Sequence, residues 1–514
     1  MILIHPPVAK PSEPPAGIAR LSGALNAYGI AHRVVDANLE GLLYLLKETA
    51  CRSADGLDTW TRRAVRNIPK NLMAVRDAAS YRVPDRYKRA IMDLSRAIES
   101  SCRGTGVTLG LANYQRQDLS PLRSANLIFA AEHPELDPFY PYFSWRIEGL
   151  LEKSVPSVVG FSLNYLSQAL TTFSMIGHLK KILPEAAIVL GGGLVTSWVR
   201  RPVWKDPFQG LVDRFVAGPG ERPLLSMTGA DQTTQRLLSP DYRSFVMTDY
   251  LSPGPVLPYS ASSGCYWNRC SFCPENAEGN PYVPFTPRRV LADLGAILPE
   301  TNAALIHLLD NAVSPSLMKA LADNPPGAPW YGFARFSRQL TDIDFCMSLR
   351  RSGCVMLKLG LESGDQDVLD RMQKGIDLNT ASAALKTLKR AGIGTYVYLL
   401  FGTPEETLPS ARKTLDFTVR HRNEIGFMNI AVFNMPVNAV PPGIEVSGFY
   451  EGDLSLYTDF VHPSGWDRRA VRNFLENEFR RSKAVSGILR KDPPVFTSNH
   501  APFFLMESRE MSNN

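Results

Sequence analysis

Short apolar runs, each followed by an amphipathic stretch, recur along most of the chain. That rhythm belongs to parallel α/β folds. Residues 2–4 and 32–35 read as strands with a helix over 17–28 between them. Ile18, Leu21, Leu25 and Tyr28 fall on one face of that helix, and Gly29 follows as its C-cap. Another helix begins at 39–46. From about 51 to 156 the rhythm breaks, with helical patterns at 60–68 and 86–100 and an aromatic, Pro-rich stretch at 126–143, which predicts an insertion. It resumes with strands at 157–163, 187–190 and 214–217 and a helix at 168–183. Five strands predict a doubly wound, Rossmann-like sheet over residues 1–235. Ligands of such sheets sit beyond the carboxyl ends of the strands. Small residues gather there: Ser162, Gly191 to Gly193, Gly218 and Gly220. Glycine lets a flat ligand approach the backbone, and tight turns explain the same residues equally well.

A linker rich in Ser, Pro and Gly, 236–256, precedes six further strand-like runs at 257–262, 304–309, 331–336, 355–361, 395–401 and 428–433. Helical patterns separate them, among them 289–298, 343–351, 381–391 and 411–420. Six β-then-α repeats predict a partial (β/α)6, TIM-like barrel over 257–440, followed by a small C-terminal extension, 441–514. Asp310 and Asn311 end the second run, Arg335 lies near the end of the third, Glu362 ends the fourth and Gly402 the fifth. Each alone is a turn or cap. As a set at the carboxyl ends of one barrel they read as functional. In the extension, 469–482 reads as a basic amphipathic helix. His462, Trp466 and His500 read as packing rather than substrate contacts.

The loop after the first barrel strand holds Cys265, Cys270 and Cys273 in the run SSGCYWNRCSFCP. Three thiolates this close reach one metal centre from a single loop. Zinc asks for a fourth ligand, and no paired CxxC or HxxxH follows. Three ligands suit a [4Fe–4S] cluster with one iron open to a substrate or cofactor. Zinc and simple burial remain the other readings of the same residues.

Composition changes this picture little. The 514 residues suffice for two or three domains. A net charge of +6 over that length is no nucleic-acid footprint, which needs a basic cluster. Seven cysteines, three of them clustered, argue against a disulfide framework and for a reducing cytoplasm. No signal peptide and no apolar run long enough to span a membrane is visible.

The cysteine loop resembles that of the radical S-adenosylmethionine enzymes, in which an aromatic residue, here Phe272, precedes the last Cys. The usual spacing leaves three residues between the first two cysteines, and this chain leaves four. The pattern SxGCYWxxCxFC is similar to the branch that carries an N-terminal cobalamin-binding domain. The stretch LGLESGDQDVLDRMQKG resembles the fourth-strand motif, which implies that Glu362 holds the ribose or amino group of S-adenosylmethionine. LLFGTPEET, with Gly402, resembles the segment lying against the adenine. Asp310 and Arg335 are further carry-overs, although the family's Gly-Gly-Glu is replaced by Leu309-Asp310-Asn311.

Over about 1–50 and 155–235 the order of strand ends resembles the cobalamin-binding domain of that branch. By that resemblance Ser162, Leu163, Gly191 and Gly192 face the corrin, with Gly218, Gly220 and Glu221 in a "GxGE" end. The Asp-x-His-x-x-Gly loop whose His ligates cobalt elsewhere is absent, so no protein His is expected on the lower face. The resemblance implies reductive cleavage of S-adenosylmethionine to methionine and a 5′-deoxyadenosyl radical. An electron donor such as flavodoxin or ferredoxin is implied with it. The leading expectation is cobalamin-dependent methylation of an unactivated carbon. A rearrangement, cyclisation or ring contraction that uses the corrin without methylating is the alternative. Methylthiolation is disfavoured, since only Cys51 and Cys102 precede the triplet.

Overall fold

In the computed structural model the described residues are 1–51, 55–201, 203–230, 237–448, 452–496 and 499–506. They form two units, one mainly residues 1–255 and the other mainly 256 onward. The expected boundary at 235/236 lies outside the described residues, as do 52–54, just past the expected start of the insertion at about 51.

The first unit is built on five parallel strands: β1 (Ile2–His5), β2 (Arg33–Asp36), β3 (Val158–Ser162), β4 (Ala187–Gly191) and β5 (Arg214–Val216). Their order is β2-β1-β3-β4-β5, and every pairing is parallel. Direction therefore reverses between β1 and β3, the switch point at which doubly wound sheets open a crevice. The central strands β1, β3 and β4 are short and largely apolar and buried, as in sheets covered by helices. Gly29 caps the helix Ala16–Ala27 in the left-handed region, φ 67°.

The insertion is more regular than its composition suggests. It contains the helices Thr59–Arg66, Ile68–Arg76, Pro84–Ser101, Ser124–Glu132 and Tyr140–Leu151, and a hairpin of Val107–Leu109 with Tyr114–Arg116. The aromatic residues of 126–143 are helix core: Phe139, Tyr142 and Phe143 are buried. Residues 237–255, expected as linker, are laid onto the first unit. Tyr242, Phe245 and Tyr250 are buried, and the Tyr250 hydroxyl donates to Asp36 Oδ2 at 2.6 Å.

The second unit holds six parallel strands in sequential order: β6 (Val256–Tyr259), β7 (Leu305–Leu308), β8 (Trp330–Ala334), β9 (Cys354–Glu362), β10 (Gly394–Phe401) and β11 (Phe427–Val432). Helices between them start where the sequence supplies a capping oxygen. Thr286, Ser314, Asp342, Asp365, Asp377 and Thr407 each accept a backbone N–H of the first turn.

The side chains of β9 alternate between two faces. Val355, Leu357, Leu359 and Leu361 share one, and Lys358, Gly360 and Glu362 the other. Lys358 is 2% exposed, donates to His307 Nε2 at 3.1 Å and lies over the rings of Tyr331 and Phe333.

The helix expected over 469–482 is observed as Arg468–Phe474 running into a π-turn at Leu475–Phe479, and a separate helix, Lys483–Leu489, follows it. The last described turn, near Phe504, sits against Gly394 and Gly426, at the amino ends of β10 and β11. His500 is 1% exposed, against Tyr396 and Phe427, and so packs there. Among the described residues no helix is long and apolar enough to cross a membrane.

Candidate active site

The cysteine loop leaves the carboxyl end of β6 and is closed at its base by an antiparallel pairing of Ser262–Ser263 with Val283–Pro284. Asp310, beyond β7, ties down its start. Its carboxylate accepts the Ala261 N–H at 3.0 Å and the Ser262 hydroxyl. Burial pushes the Asp310 carboxyl up, and these donors draw it back. Both Asp310 oxygens thus hold the start of the loop. Gly264 follows at φ 69°, where a Cβ would meet the Pro281 carbonyl at 2.4 Å.

Cys270 is buried, and Cys265 and Cys273 are half-buried. Burial raises the Cys273 thiol first, and the neighbouring Cys270 and Cys265 raise it further. Among the described residues no three His, Cys, Asp or Glu side chains stand close enough to share one metal ion. A single tetrahedral zinc, with Zn–S of about 2.3 Å, needs sulfurs within about 4 Å of one another. A four-iron cluster gives each thiolate its own iron, and three thiols on one loop, with the cations Lys374 and Arg335 beside Cys270, are a donor set that suits it.

Beside Cys270 stand Arg335, Lys374 and Glu362. Burial raises the Cys270 thiol, and the cations Lys374 and Arg335 pull it down. Arg335, beyond the end of β8, is 8% exposed, with Nη1 4.0 Å from Cys270 Sγ and Nη2 donating to the Lys374 carbonyl. Its guanidinium lies 4.3 Å from the Trp267 ring. Glu362 closes β9 at φ 67°, in the left-handed region, just past a register shift between Gly360 and Glu362. A glutamate held there is strained, and such strain gathers at working sites. Its Oε1 accepts from Lys374 Nζ at 2.8 Å, both side chains being largely buried. A Cβ at Gly360 would strike both partners, so that glycine makes room for the pair. Phe272 has Lys374 Nζ 5.5 Å from its ring centre.

Sequence reading singled out Glu362 and passed over Lys374. The signal available was a lysine in a turn just after a helix, twelve residues beyond a strand-ending carboxylate. Cys346 and Cys354 are fully buried elsewhere, on the helix Ile343–Arg351 and at the first residue of β9. Burial lifts the Cys346 thiol to about 12 and Cys354 higher.

Gly402 follows β10 at φ 82°. Its N–H and the Trp466 indole N–H both donate to Glu406 Oε2, at 2.5 and 2.9 Å. His462 donates from Nε2 to the Thr403 carbonyl at 2.8 Å. His462 and Trp466 therefore pack, and with Gly402, Asn434, Asp459 and Arg468 they line a pocket at the ends of β10 and β11.

Glu406 is 1% exposed, and burial pushes its carboxyl up to about 7 against those two donors. The unfolded carboxyl ionises at its ordinary value, so between about 4.5 and 7 the native state binds more protons. Stability therefore falls as pH rises through that window, by about 3 kcal/mol at most. Glu406→Gln keeps an acceptor for both donors and should flatten the dependence, gaining on wild type at pH 8 in urea midpoints. An unchanged slope contradicts this.

In the first unit the carboxyl ends of β3, β4 and β5 form a ledge. Asn164 ties it together, donating to Ser162 Oγ at 3.1 Å and accepting the Gly193 N–H at 2.9 Å. Thr196 Oγ1 accepts the Gly218 N–H at 2.9 Å. Leu163 turns its side chain into the core, 0% exposed. Gly192, at φ 111°, is glycine for the chain's own sake, because a Cβ would lie 2.4 Å from the Leu163 carbonyl oxygen. Gly218 also needs its positive φ, 76°. At Gly220 a Cβ would press Leu21 at 3.2 Å, and the Glu221 carboxylate is paired with Arg20. Gly191 and Gly193 have ordinary φ and room for a Cβ, so nothing in their own packing demands glycine. His5, at the end of β1, is 6% exposed, and burial lowers its basicity.

Residues 259–418 match the Radical SAM superfamily. The chain is 24% identical over 279 residues to the hopanoid C-3 methylase of Methylococcus capsulatus, covering 48% of this chain and 53% of that protein. It is 33% identical over 267 residues to the bacteriochlorophyllide d C-12(1)-methyltransferase of Chlorobaculum tepidum, covering 48% and 54%. It thus spans about half the length of these relatives. In fold it is similar to the radical S-adenosylmethionine methyltransferase TsrM from Kitasatospora setae, solved with tryptophan substrate and a SAM analogue. That likeness has a TM-score of 0.51 at 15% identity and covers 88% of this chain and 79% of that one.

Proposed function

Since residues 259–418 form a domain of the radical SAM superfamily, we propose that this protein reductively cleaves S-adenosylmethionine and methylates an unactivated carbon with the help of cobalamin. The observation that carries the reading is the junction of the cysteine loop with the Glu362–Lys374 pair. The cysteine loop that follows β6 brings Cys270 beside a strained carboxylate and the ammonium paired with it at the end of β9. Cys265, Cys270 and Cys273 hold a [4Fe–4S] cluster with one open iron. When bound and reduced, such a cluster supplies the electron that splits the sulfonium into methionine and a 5′-deoxyadenosyl radical.

The chain's own part is to bind, orient and exclude water. Lys374 offers an ammonium to the cofactor's carboxylate, and Glu362 accepts from its amino or ribose groups. The backbone that ends β10 at Gly402 lies against the adenine. The six-stranded sheet curls as an open barrel with these groups at its mouth. The names of the two methylating relatives support methyl transfer. The ledge of Ser162, Gly191 and Gly193 supports cobalamin, which when bound carries the methyl group. An acidic one-electron donor, flavodoxin or ferredoxin, and a cytoplasmic setting complete the reading.

The test is anaerobic incubation of protein loaded with iron, sulfide and cobalamin with S-adenosylmethionine and a reductant. S-adenosylhomocysteine together with 5′-deoxyadenosine is the expected product pair. 5′-Deoxyadenosine alone contradicts methyl transfer and favours a non-methylating use of the corrin. Neither product contradicts both. Gly193→Phe should weaken cobalamin binding at least about tenfold, a loss of about 1.4 kcal/mol, with helix content unchanged. The cob(II)alamin electron paramagnetic resonance spectrum should lack nitrogen superhyperfine splitting, and its presence would refute the unligated lower face.

A further inference from the structure

The cysteine loop carries one residue more than the common spacing, and the chain absorbs it in a definite way. Asn268 takes the left-handed region at φ 44°, and Trp267 before it is thrown across the turn Met372–Gly375. The Trp267 indole N–H donates to the Gln373 carbonyl at 2.9 Å. The Ser271 N–H donates to the Met372 carbonyl at 3.1 Å. The far edge of the indole rests directly on Gly375, where an added Cβ would lie 1.9 Å from Trp267 Cζ2. Gly375 itself sits at φ 65°. The buried Arg335 guanidinium, which also approaches Cys270, lies 4.3 Å from the indole, and that of Arg269 lies 5.2 Å from it. The same turn presents Lys374 to Glu362.

We propose that Trp267, seated on Gly375 and clamped by Arg335, is the positioning residue that sets where Cys270 stands in this lengthened loop. The purpose rests on the cluster reading above; the docking itself does not. A tryptophan is a rigid, large anchor with an apolar body and one polar handle, suited to pin a loop of irregular backbone. Glycine at 375 is then required twice, by its backbone angle and by the ring above it. The lengthened loop also makes the anchor necessary, since an extra residue widens the conformations open to the thiols.

The experiment uses the full chain in two states. In apoprotein, iodoacetamide modification of Cys270 is followed by peptide mass. Gly375→Ala should displace the indole and speed modification about tenfold, because local opening governs the rate. In reconstituted protein the same variant should retain less iron and show altered cluster resonance lines. Trp267→Phe/Gly375→Ala, whose shorter ring clears the new methyl, should restore both toward wild type. Wild-type modification and wild-type resonance in Gly375→Ala overturn the proposal. So does a double variant no better than Gly375→Ala, because backbone strain at 375 is then the whole effect. A wild-type protein that takes up no iron, yet shows the expected modification pattern, defeats the cluster reading and leaves the docking intact.

Discussion

Replacing Cys265, Cys270 and Cys273 together with Ala should take the anaerobic protein from about four irons per chain to none and bleach its visible absorbance. The loop is held by its own scaffold: Asp310 fastens its start, and Ser271 and Trp267 fasten its far side to the turn at 372–375. Loss of the thiols therefore should not unfold the second unit. Cys346→Ala and Cys354→Ala serve as controls. Both side chains are fully buried, so their loss costs stability, on the order of 1–2 kcal/mol. Iron content should stay at the wild-type value. Iron retained in the triple variant, or lost in either control, contradicts the assignment.

Glu362→Gln should slow cleavage of S-adenosylmethionine by about a hundredfold or more while leaving iron content unchanged. Glu362 and Lys374 form a largely buried pair at 2.8 Å. Removing one partner of such a pair costs about 3–5 kcal/mol, because the other charge is left stranded. If the cofactor's own carboxylate and amino groups complete the pair, that loss falls on cofactor binding and turnover, and about 2.7 kcal/mol is already a factor of a hundred. Lys374→Met should do the same. Because the two act as one unit, the double variant should be little worse than either single one. Full cleavage kinetics in Glu362→Gln would assign the carboxylate to holding the strand end and nothing more.

The strands and the cysteine loop were legible because their signals are local. Apolar runs such as 355–361 mark a strand buried on both faces, and Cys spacing needs no tertiary knowledge. The capping residues Asp342 and Thr407 are local signals of the same kind, and the apolar pattern by itself placed the second of these helix starts three residues late, at 411 rather than 408. What escaped depends on contacts distant in sequence. Gly192 looked like a ligand-facing glycine, and its real constraint is the Leu163 carbonyl. The Ser- and Pro-rich stretch before β6 looked like a linker, and its buried tyrosines pack it down. Lys374 lay inside a stretch already flagged for its resemblance. Its role emerges only when the turn folds back beside Glu362. Lys358, a lone charge in an apolar strand, carried a visible signal that periodicity alone does not interpret; its partner is His307 on another strand.

The most direct measurement is the electron paramagnetic resonance spectrum of the dithionite-reduced, reconstituted protein with and without S-adenosylmethionine. An open iron next to Lys374 and Glu362 predicts a reduced cluster signal whose g-values and line shape shift when the cofactor is added. Glu362→Gln should need more cofactor to produce the shift. A cluster signal indifferent to saturating S-adenosylmethionine, or no cluster signal at all, would contradict the account.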